Sequence, residues 1–107
     1  MIKVKFFIKG EELSGFEISG HAGFARQGKD IVCAAVSSAA YMAANTVTDI
    51  IGADASAQAG DSIMKLTLNA SCSKSEAVLR GLELHLRELA KEYPENIKVI
   101  YGGVKNA

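Results

Sequence analysis

A histidine, a cysteine and several glycines lie close together in one segment and could carry out acyl transfer. Asp30 stands directly before a long apolar run that begins at Ile31. This placement predicts a helix N-cap, because a carboxylate there can accept hydrogen bonds from the unpaired amides of the first turn. Cys33 is then the third helical residue, at the positive end of the helix dipole, where a thiolate is favoured.

His21 precedes this helix start and follows a predicted strand. A histidine within reach of Cys33 could take the thiol proton and later protonate a leaving amine. The amides of the first helical turn could hold the oxyanion of a tetrahedral intermediate. Between the two residues, the segment from Gly20 to Lys29 predicts a loop that opens and closes over a polypeptide, with flexibility at Gly20, Gly23 and Gly28.

Residue types alone leave other interpretations open. A cysteine near a helix start is more often a small core residue than a nucleophile, and the charge of Asp30 opposes thiolate formation unless the cap amides use it. The glycines together with Arg26 and Lys29 could cradle a phosphate, which would make the chain a nucleotide- or RNA-binding module. Their spacing fits neither the Walker pattern nor the dinucleotide fingerprint. A third interpretation is a pure interaction subunit that needs no reactive thiol.

The periodicity of apolar residues predicts an α+β fold with the element order ββαββαβ. Two helices would pack on one face of a mainly antiparallel sheet. Gly60-Asp61 predicts a hairpin turn between the third and fourth strands, and Gly15 suggests a bulge in the second. The predicted strands are Ile2–Lys9, Leu13–Ser19, Ala53–Ala59, Ser62–Leu68 and Ile97–Tyr101.

The two helices have recognisable ends. The first should run from Ile31 to about Ile51 and end at Gly52. Ser73 and Glu76 predict a capping box that opens the second, and Pro94 should end it. One apolar face of the second helix would carry Val78, Leu82, Leu86, Leu89 and Tyr93.

Composition limits the class of protein. The chain has 107 residues, enough for one domain over residues 1–107, and a formal net charge of zero gives no general attraction to nucleic acid. We expect no signal peptide, and we interpret the uncharged run from Ile31 to Val47 as a buried helix of a soluble protein rather than a membrane span. Two cysteines and two histidines match no zinc signature, so neither a metal nor a cofactor is expected.

The segment from Gly20-His21 through the glycine-containing loop to Asp30-Ile31-Val32-Cys33-Ala34-Ala35-Val36-Ser37 resembles the signature of the ribosomal-processing cysteine proteases, the Prp family. The likeness covers nearly the whole chain, including its length, the ββαββαβ order and the final helix ending in Glu92-Tyr93-Pro94. A histidine, a loop and Asp-x-x-Cys-x-x-x-Ser at a helix start are rare together in so short a protein.

This resemblance implies a bacterial, cytoplasmic homodimeric endopeptidase, a hydrolase that acts in ribosome biogenesis. It would remove the N-terminal extension of a large-subunit ribosomal protein, cutting just after a hydrophobic, phenylalanine-containing segment. His21 and Cys33 would be the catalytic pair, and Asp30 and Ser37 would shape the site. A short chain with helices rich in small and apolar residues also favours a homodimer. No direct contact with nucleic acid or membrane is implied.

The remaining candidate residues have ordinary explanations. Cys72 is interpreted as a packing residue, with a redox-sensitive thiol as the alternative, and Cys33 is expected to react faster because only it gains from a helix N-terminus and a base. His85 is interpreted as a surface or interface histidine, and exposed Leu84 as a possible partner contact. The core, rather than a substrate pocket, is the predicted location of Phe6, Phe7, Phe16 and Tyr41.

Overall fold

The computed structural model describes residues 1–20 and 30–103, which form five strands and two long helices in the order expected from the sequence. A π-helical segment, Thr46–Ile51, continues the first helix without a break. The elements are β1 (Ile2–Lys9), β2 (Glu12–Gly20), α1 (Ile31–Asn45), β3 (Ala55–Gly60), β4 (Ile63–Leu68), α2 (Ser73–Glu92) and β5 (Ile97–Gly103).

The strands form one sheet in the order β3-β4-β2-β1-β5. All neighbours pair antiparallel except β1 and β5, which are parallel, so the predicted mainly antiparallel sheet is confirmed. The register of β1 and β2 shifts between Phe7 and Ile8, and Ser14 is the extra residue on β2. The predicted bulge therefore lies beside Gly15. At Gly15 a Cβ atom would collide with the carbonyl oxygen of Leu66 on β4, so the close approach of these strands requires glycine.

The core lies between the sheet and the helices. Alternate side chains of β1 are fully buried and form one cluster with two side chains of β2, one of β4 and one face of each helix. On α2 the buried face is centred on Leu79, Leu82 and Leu86, while Val78 and Leu89 are only partly buried. The main members of the core are Ile2, Val4, Phe6, Leu13, Phe16, Val32, Val36, Ala40, Val47, Leu66, Leu79, Leu86 and Ile97.

Helix ends agree with the sequence in three places and differ in one. Asp30 caps α1, Gly52 ends the π-helical segment in the left-handed region with φ 70°, and α2 ends before Pro94. The capping box at Ser73 is wrong, because Cys72 is the N-cap of α2. Glu76 consequently lies one position too far along to reach back to the cap, and its carboxylate instead accepts the amide of Leu13 at 3.0 Å.

Two further predictions need correction. The tight turn between β3 and β4 is formed by Asp61 and Ser62 rather than by Gly60 and Asp61, because Gly60 still pairs with Ile63. Ser62 carries the positive φ that this turn requires, 63°. Tyr41 is 49% exposed and is not a core residue, whereas Phe6, Phe7 and Phe16 are buried as predicted.

The helix from Ile31 to Ile51 is long and apolar enough to meet a length-and-composition criterion for crossing a membrane, with a mean hydropathy of 1.4 in its best window. Only 28% of that window is buried. The expectation of a buried helix therefore holds for one face, which supplies Val32, Val36, Ala40, Ala43 and Val47 to the core. The core helices of soluble proteins pass the same criterion, so it is weak evidence for a membrane span.

Candidate active site

Cys33 lies in the first turn of α1, where Asp30 fixes the backbone. One carboxylate oxygen of Asp30 accepts the amides of Val32 at 3.1 Å and of Cys33 at 3.0 Å. The main-chain oxygen of Asp30 accepts the amide of Ala34 at 3.1 Å. Cys33 is thus the third helical residue, as predicted, and its thiol is partly exposed.

The hydrogen bonds of this cap change one expectation about catalysis. The amides of Val32 and Cys33 were candidates for binding an oxyanion, but both donate to the Asp30 carboxylate. A negatively charged oxygen already occupies the position at which an oxyanion would gain from these two groups. The first turn of α1 therefore serves to hold the helix start, and these amides are not available to a substrate while the cap is formed.

A cleft of about 250 Å³ opens beside Cys33. Three elements form it: the end of β2, one face of α1, and the β3–β4 hairpin. Its walls combine apolar side chains with the cysteine thiol and two serines, a lining that suits an apolar peptide side chain near a nucleophile. The lining residues are Ile18, Gly20, Cys33, Ser37, Ala40, Tyr41, Gly60, Ser62, Ile63 and Met64.

Gly20 is the last residue of β2 rather than part of a loop. It pairs with Ile2 on β1, and its amide donates to the carbonyl oxygen of Ser62 at 3.1 Å. Its φ of 87° lies in the region that favours glycine, and a Cβ atom would collide with the carbonyl oxygen of Met1. The geometry of the strand end therefore requires glycine at this position. This requirement, rather than flexibility of a loop, accounts for Gly20.

Besides Cys33, two predicted site residues line the cleft, Gly20 and Ser37. Ser37 is exposed and lines the cleft one helical turn after Cys33. His21, Gly23 and Gly28 lie outside the described residues, as do Arg26 and Lys29.

Sequence reasoning missed most of the cleft wall. Cys33, Ser37 and Tyr41 are spaced four residues apart and share one helix face, so this spacing could have placed Tyr41 in the site. Ile63 and Met64 reach the cleft only because β4 pairs with β2, where Ile18 lies opposite Met64. No local pattern in the sequence specifies that pairing.

The described part of the chain contains no group of three or more histidine, cysteine, aspartate or glutamate side chains placed to hold a metal ion. The other cysteine, Cys72, lies at the start of α2 and also lines a pocket. His85 is exposed on α2 and borders an apolar groove between the two helices. Neither residue lines the Cys33 cleft.

Comparison with known proteins identifies the family. The family model of the cysteine protease Prp matches residues 1–98. The chain belongs to the Prp family of cysteine proteases. Members of this family are hydrolases, so the chain is an enzyme of the cysteine protease class.

Characterised relatives agree with this assignment. The ribosomal processing cysteine protease Prp of Bacillus subtilis (strain 168) is 28% identical over 91 residues, which cover 78% of this chain and 81% of that protein. A crystal structure of a Streptococcus mutans protein is 28% identical with a TM-score of 0.82, covering 97% of this chain and 96% of that one.

The same fold occurs in Prp from Staphylococcus aureus, described as an essential ribosomal processing protease in complex with a covalently linked product peptide. It superposes with a TM-score of 0.88 at 23% identity, over 95% of this chain and all of that one. At this identity the likeness establishes the shared fold. The resemblance inferred from the Gly20–Ser37 segment is therefore confirmed at the level of the Prp family, while the roles of individual residues stay predictions.

Proposed function

We propose that this protease removes the N-terminal extension of a large-subunit ribosomal protein, with Cys33 as nucleophile and His21 as general base and acid. The observation that carries this proposal is the cleft in which Cys33 and Gly20 meet. His21 is the next residue of the chain after Gly20. Membership of the Prp family and the ribosomal processing role of the B. subtilis relative support the same substrate.

In the proposed reaction the Cys33 thiol gives its proton to His21, and the sulfur attacks the carbonyl carbon of the scissile peptide bond. His21 then returns the proton to the leaving amine, which yields a thioester between Cys33 and the extension. Water, deprotonated by the same histidine, hydrolyses this thioester and restores the thiol. Asp30 contributes by fixing the turn that carries Cys33, and Ser37 by forming part of the cleft wall.

The lining of the cleft supports an apolar residue in the substrate before the cut. Ile18, Tyr41, Ile63 and Met64 present apolar surface around Cys33. A phenylalanine-containing segment, which the resemblance to Prp implies, would bury that surface. Gly23 and Gly28 retain their proposed role in a loop that admits the polypeptide.

The test uses a synthetic peptide that carries the extension and the first residues of the mature ribosomal protein. We expect the wild-type chain to cut it at one bond, as measured by mass spectrometry, and Cys33→Ala to leave it uncut. Cys72→Ser is the matched control, because it also removes a thiol at a helix start, and it should cut at the wild-type rate. Cleavage by Cys33→Ala would end the proposal.

The phosphate- or RNA-binding alternative has less support. A phosphate at the start of α1 would have to bind the first-turn amides, and two of these donate to the Asp30 carboxylate. The carboxylate would also repel a phosphate.

We also propose that the enzyme is a cytoplasmic homodimer. Large apolar side chains are exposed on the helical side of the molecule, including Met42 at 65%, Ile50 at 80% and Leu84 at 64%. Burying such surface in a second copy would help a chain with a small core. Light scattering at micromolar concentration should give twice the 11.3 kDa of one chain. A monomer under these conditions would contradict the proposal.

A further inference from the structure

Cys72 occupies the N-cap position of α2 and lines a pocket of about 310 Å³. The pocket lies where the start of β2 meets the start of α2. Among the residues that the structure describes, it shares none of its lining with the Cys33 cleft. β2 is nine residues long and thus roughly 27 Å from end to end. Its first residues line one site and its last residues line the other, so the two cysteines are at opposite ends of the strand.

A buried hydroxyl group lies in the first turn of α2, on Ser75, three residues after Cys72. Ser75 is fully buried, and its Oγ has no hydrogen-bond partner among the described residues. A neutral thiol is a poor acceptor and leaves this hydroxyl unsatisfied, whereas a thiolate would accept its hydrogen. The Ser75 hydroxyl and then the Ser75 amide lower the pKa of Cys72 below its ordinary value. Desolvation opposes them, and the amide and charge of Lys74 lower the pKa by smaller amounts.

We propose that Cys72 is a modification site at which a low-molecular-weight disulfide forms a mixed disulfide with the protein. The Cys72 thiolate attacks one sulfur of the small disulfide R–S–S–R, a Cys72–S–S–R bond forms, and R–S⁻ leaves with the electron pair of the broken bond. No other oxidant is needed, because the small disulfide is itself reduced to one thiol. This chemistry is separate from peptide cleavage and does not depend on the role of Cys33.

The pocket has room and polar groups for the R–S group that becomes attached to Cys72. Lys9 and Glu12 supply one charge of each sign to its lining, and Ser71 donates to the Glu12 carboxylate at 2.9 Å. The other acidic group in the lining, Glu76, is already engaged by the Leu13 amide and by Arg80 at 2.8 Å. Cystine, whose halves each carry one ammonium and one carboxylate group, is therefore the probe of choice.

The experiment incubates the folded protein with cystine at pH 7, quenches with acid at timed intervals, and measures the adduct on the Cys72 peptide by mass spectrometry. Peptide mapping separates it from the adduct on Cys33. We expect Cys72 in the folded chain to react several-fold faster than Cys72 in the chain unfolded by urea, because only the folded state presents Ser75 to the thiolate. An equal or slower rate in the folded chain would overturn the proposal.

Ser75→Ala is the matched variant. It removes only the hydroxyl, and because that hydroxyl is unsatisfied in the resting protein, its loss should not lower stability. We expect the rate at pH 7 to fall roughly threefold, since a smaller thiolate fraction is partly offset by higher nucleophilicity of each thiolate. In a plot of reaction rate against pH, the inflection point should move to a higher pH.

An unchanged rate and an unchanged inflection in a folded Ser75→Ala chain would overturn the proposal. If that variant does not fold, Lys74→Gln decides instead. Lys74 is exposed, so its substitution should be tolerated, and its charge also favours the thiolate. We expect a smaller decrease in rate, less than about twofold, and no decrease would count against the site.

Discussion

Each of the two long helices has a cysteine near its N-terminus, but the two cysteines differ in their position relative to the N-cap. In α1 the cap is the Asp30 carboxylate, which accepts two amides of the first turn, and Cys33 lies three residues later. In α2 the cap is Cys72 itself, with no side-chain hydrogen bond to the first turn. The two sites lie at opposite ends of β2.

This difference shows that nearness to a helix N-terminus does not by itself activate a thiol. A capping carboxylate uses the first-turn amides and places a negative charge between them and any second anion. Cys33 therefore depends on a separate base, and the amides near Cys72 remain available to its sulfur. Cys72 also lies at a helix start, so the expectation that Cys33 is the more reactive thiol depends on the proposed base, His21.

The largest expected effect comes from removing the proposed base. His21→Ala should lower the rate of peptide cleavage by roughly 10²–10⁴-fold, since general-base assistance is commonly of that size. It should also slow alkylation of Cys33 by iodoacetamide and leave the alkylation of Cys72 unchanged. Cleavage assays and mass spectrometry of partially labelled protein measure the two effects.

His85→Ala is the control for His21→Ala, because His85 is exposed on α2 and lies outside the cleft. It should change neither cleavage nor alkylation. If His21→Ala cleaves at the wild-type rate, Cys33 keeps its role as nucleophile but depends on another base. If it slows both cysteines equally, a general loss of structure is the cause, and the contrast between the two helix starts disappears.

A smaller effect is expected from Gly20→Ala, which changes the strand end that enters the Cys33 cleft. Alanine is disfavoured at a φ of 87°, and its Cβ would collide with the Met1 carbonyl oxygen. We expect the free energy of unfolding to fall by about 1–3 kcal/mol, as measured by urea denaturation. Gly10→Ala is a useful comparison, because Gly10 also has a positive φ, 65°, but has open space around it. A Gly20→Ala loss no larger than that of Gly10→Ala would remove the steric explanation.

Two substitutions of Asp30 separate the effect of its capping hydrogen bonds from the effect of its negative charge. Asp30→Ala loses two amide hydrogen bonds and should lower the free energy of unfolding by about 1 kcal/mol. Asp30→Asn keeps a capping oxygen without the charge, so it should be close to wild type in stability. If the carboxylate opposes the thiolate at Cys33, then Asp30→Asn should increase the rate of alkylation at Cys33 and not at Cys72. Equal rates in wild type and Asp30→Asn would show that the amides fully neutralise the carboxylate.

Sequence patterns specified the elements and one wall of the site. Alternation identified the strands, and the Asp30 cap placed Cys33 at the third helical position, because both signals depend on neighbouring residues. The contribution of the β3–β4 hairpin was missed, since Ile63 and Met64 reach the cleft through pairing with a strand more than forty positions earlier in the chain. Tyr41 is exposed at the cleft because it shares a helix face with Cys33 and Ser37, which its aromatic character alone does not indicate.

The start of α2 shows why a local motif can fail. Ser73 and Glu76 have the spacing of a capping box, but Ser73 is already the first helical residue and the N-cap is Cys72. Glu76 does not take part in a cap; its carboxylate accepts the Leu13 amide of β2 and pairs with Arg80. Residue types alone favour serine over cysteine as the cap, so they do not predict the helix start at which Glu76 makes these contacts.

The smallest expected effect tests the cap of α2 directly. Cys72→Ser replaces a sulfur that makes no capping hydrogen bond with a hydroxyl oxygen, which is among the preferred N-cap groups and can accept the amide of Ser75. The thiol is partly exposed, so little apolar burial is lost. We expect the free energy of unfolding to rise by about 0.5 kcal/mol, measured by urea denaturation with an unchanged dependence of that free energy on urea concentration.

The same variant should cleave the peptide at the wild-type rate, because the described lining of its pocket shares no residue with that of the Cys33 cleft. A loss of stability would show that the sulfur packs more tightly than its exposure indicates, and a loss of cleavage would show that the two ends of β2 are coupled. The loss of cleavage would replace the picture of two independent helix starts with one in which the state of Cys72 controls the protease.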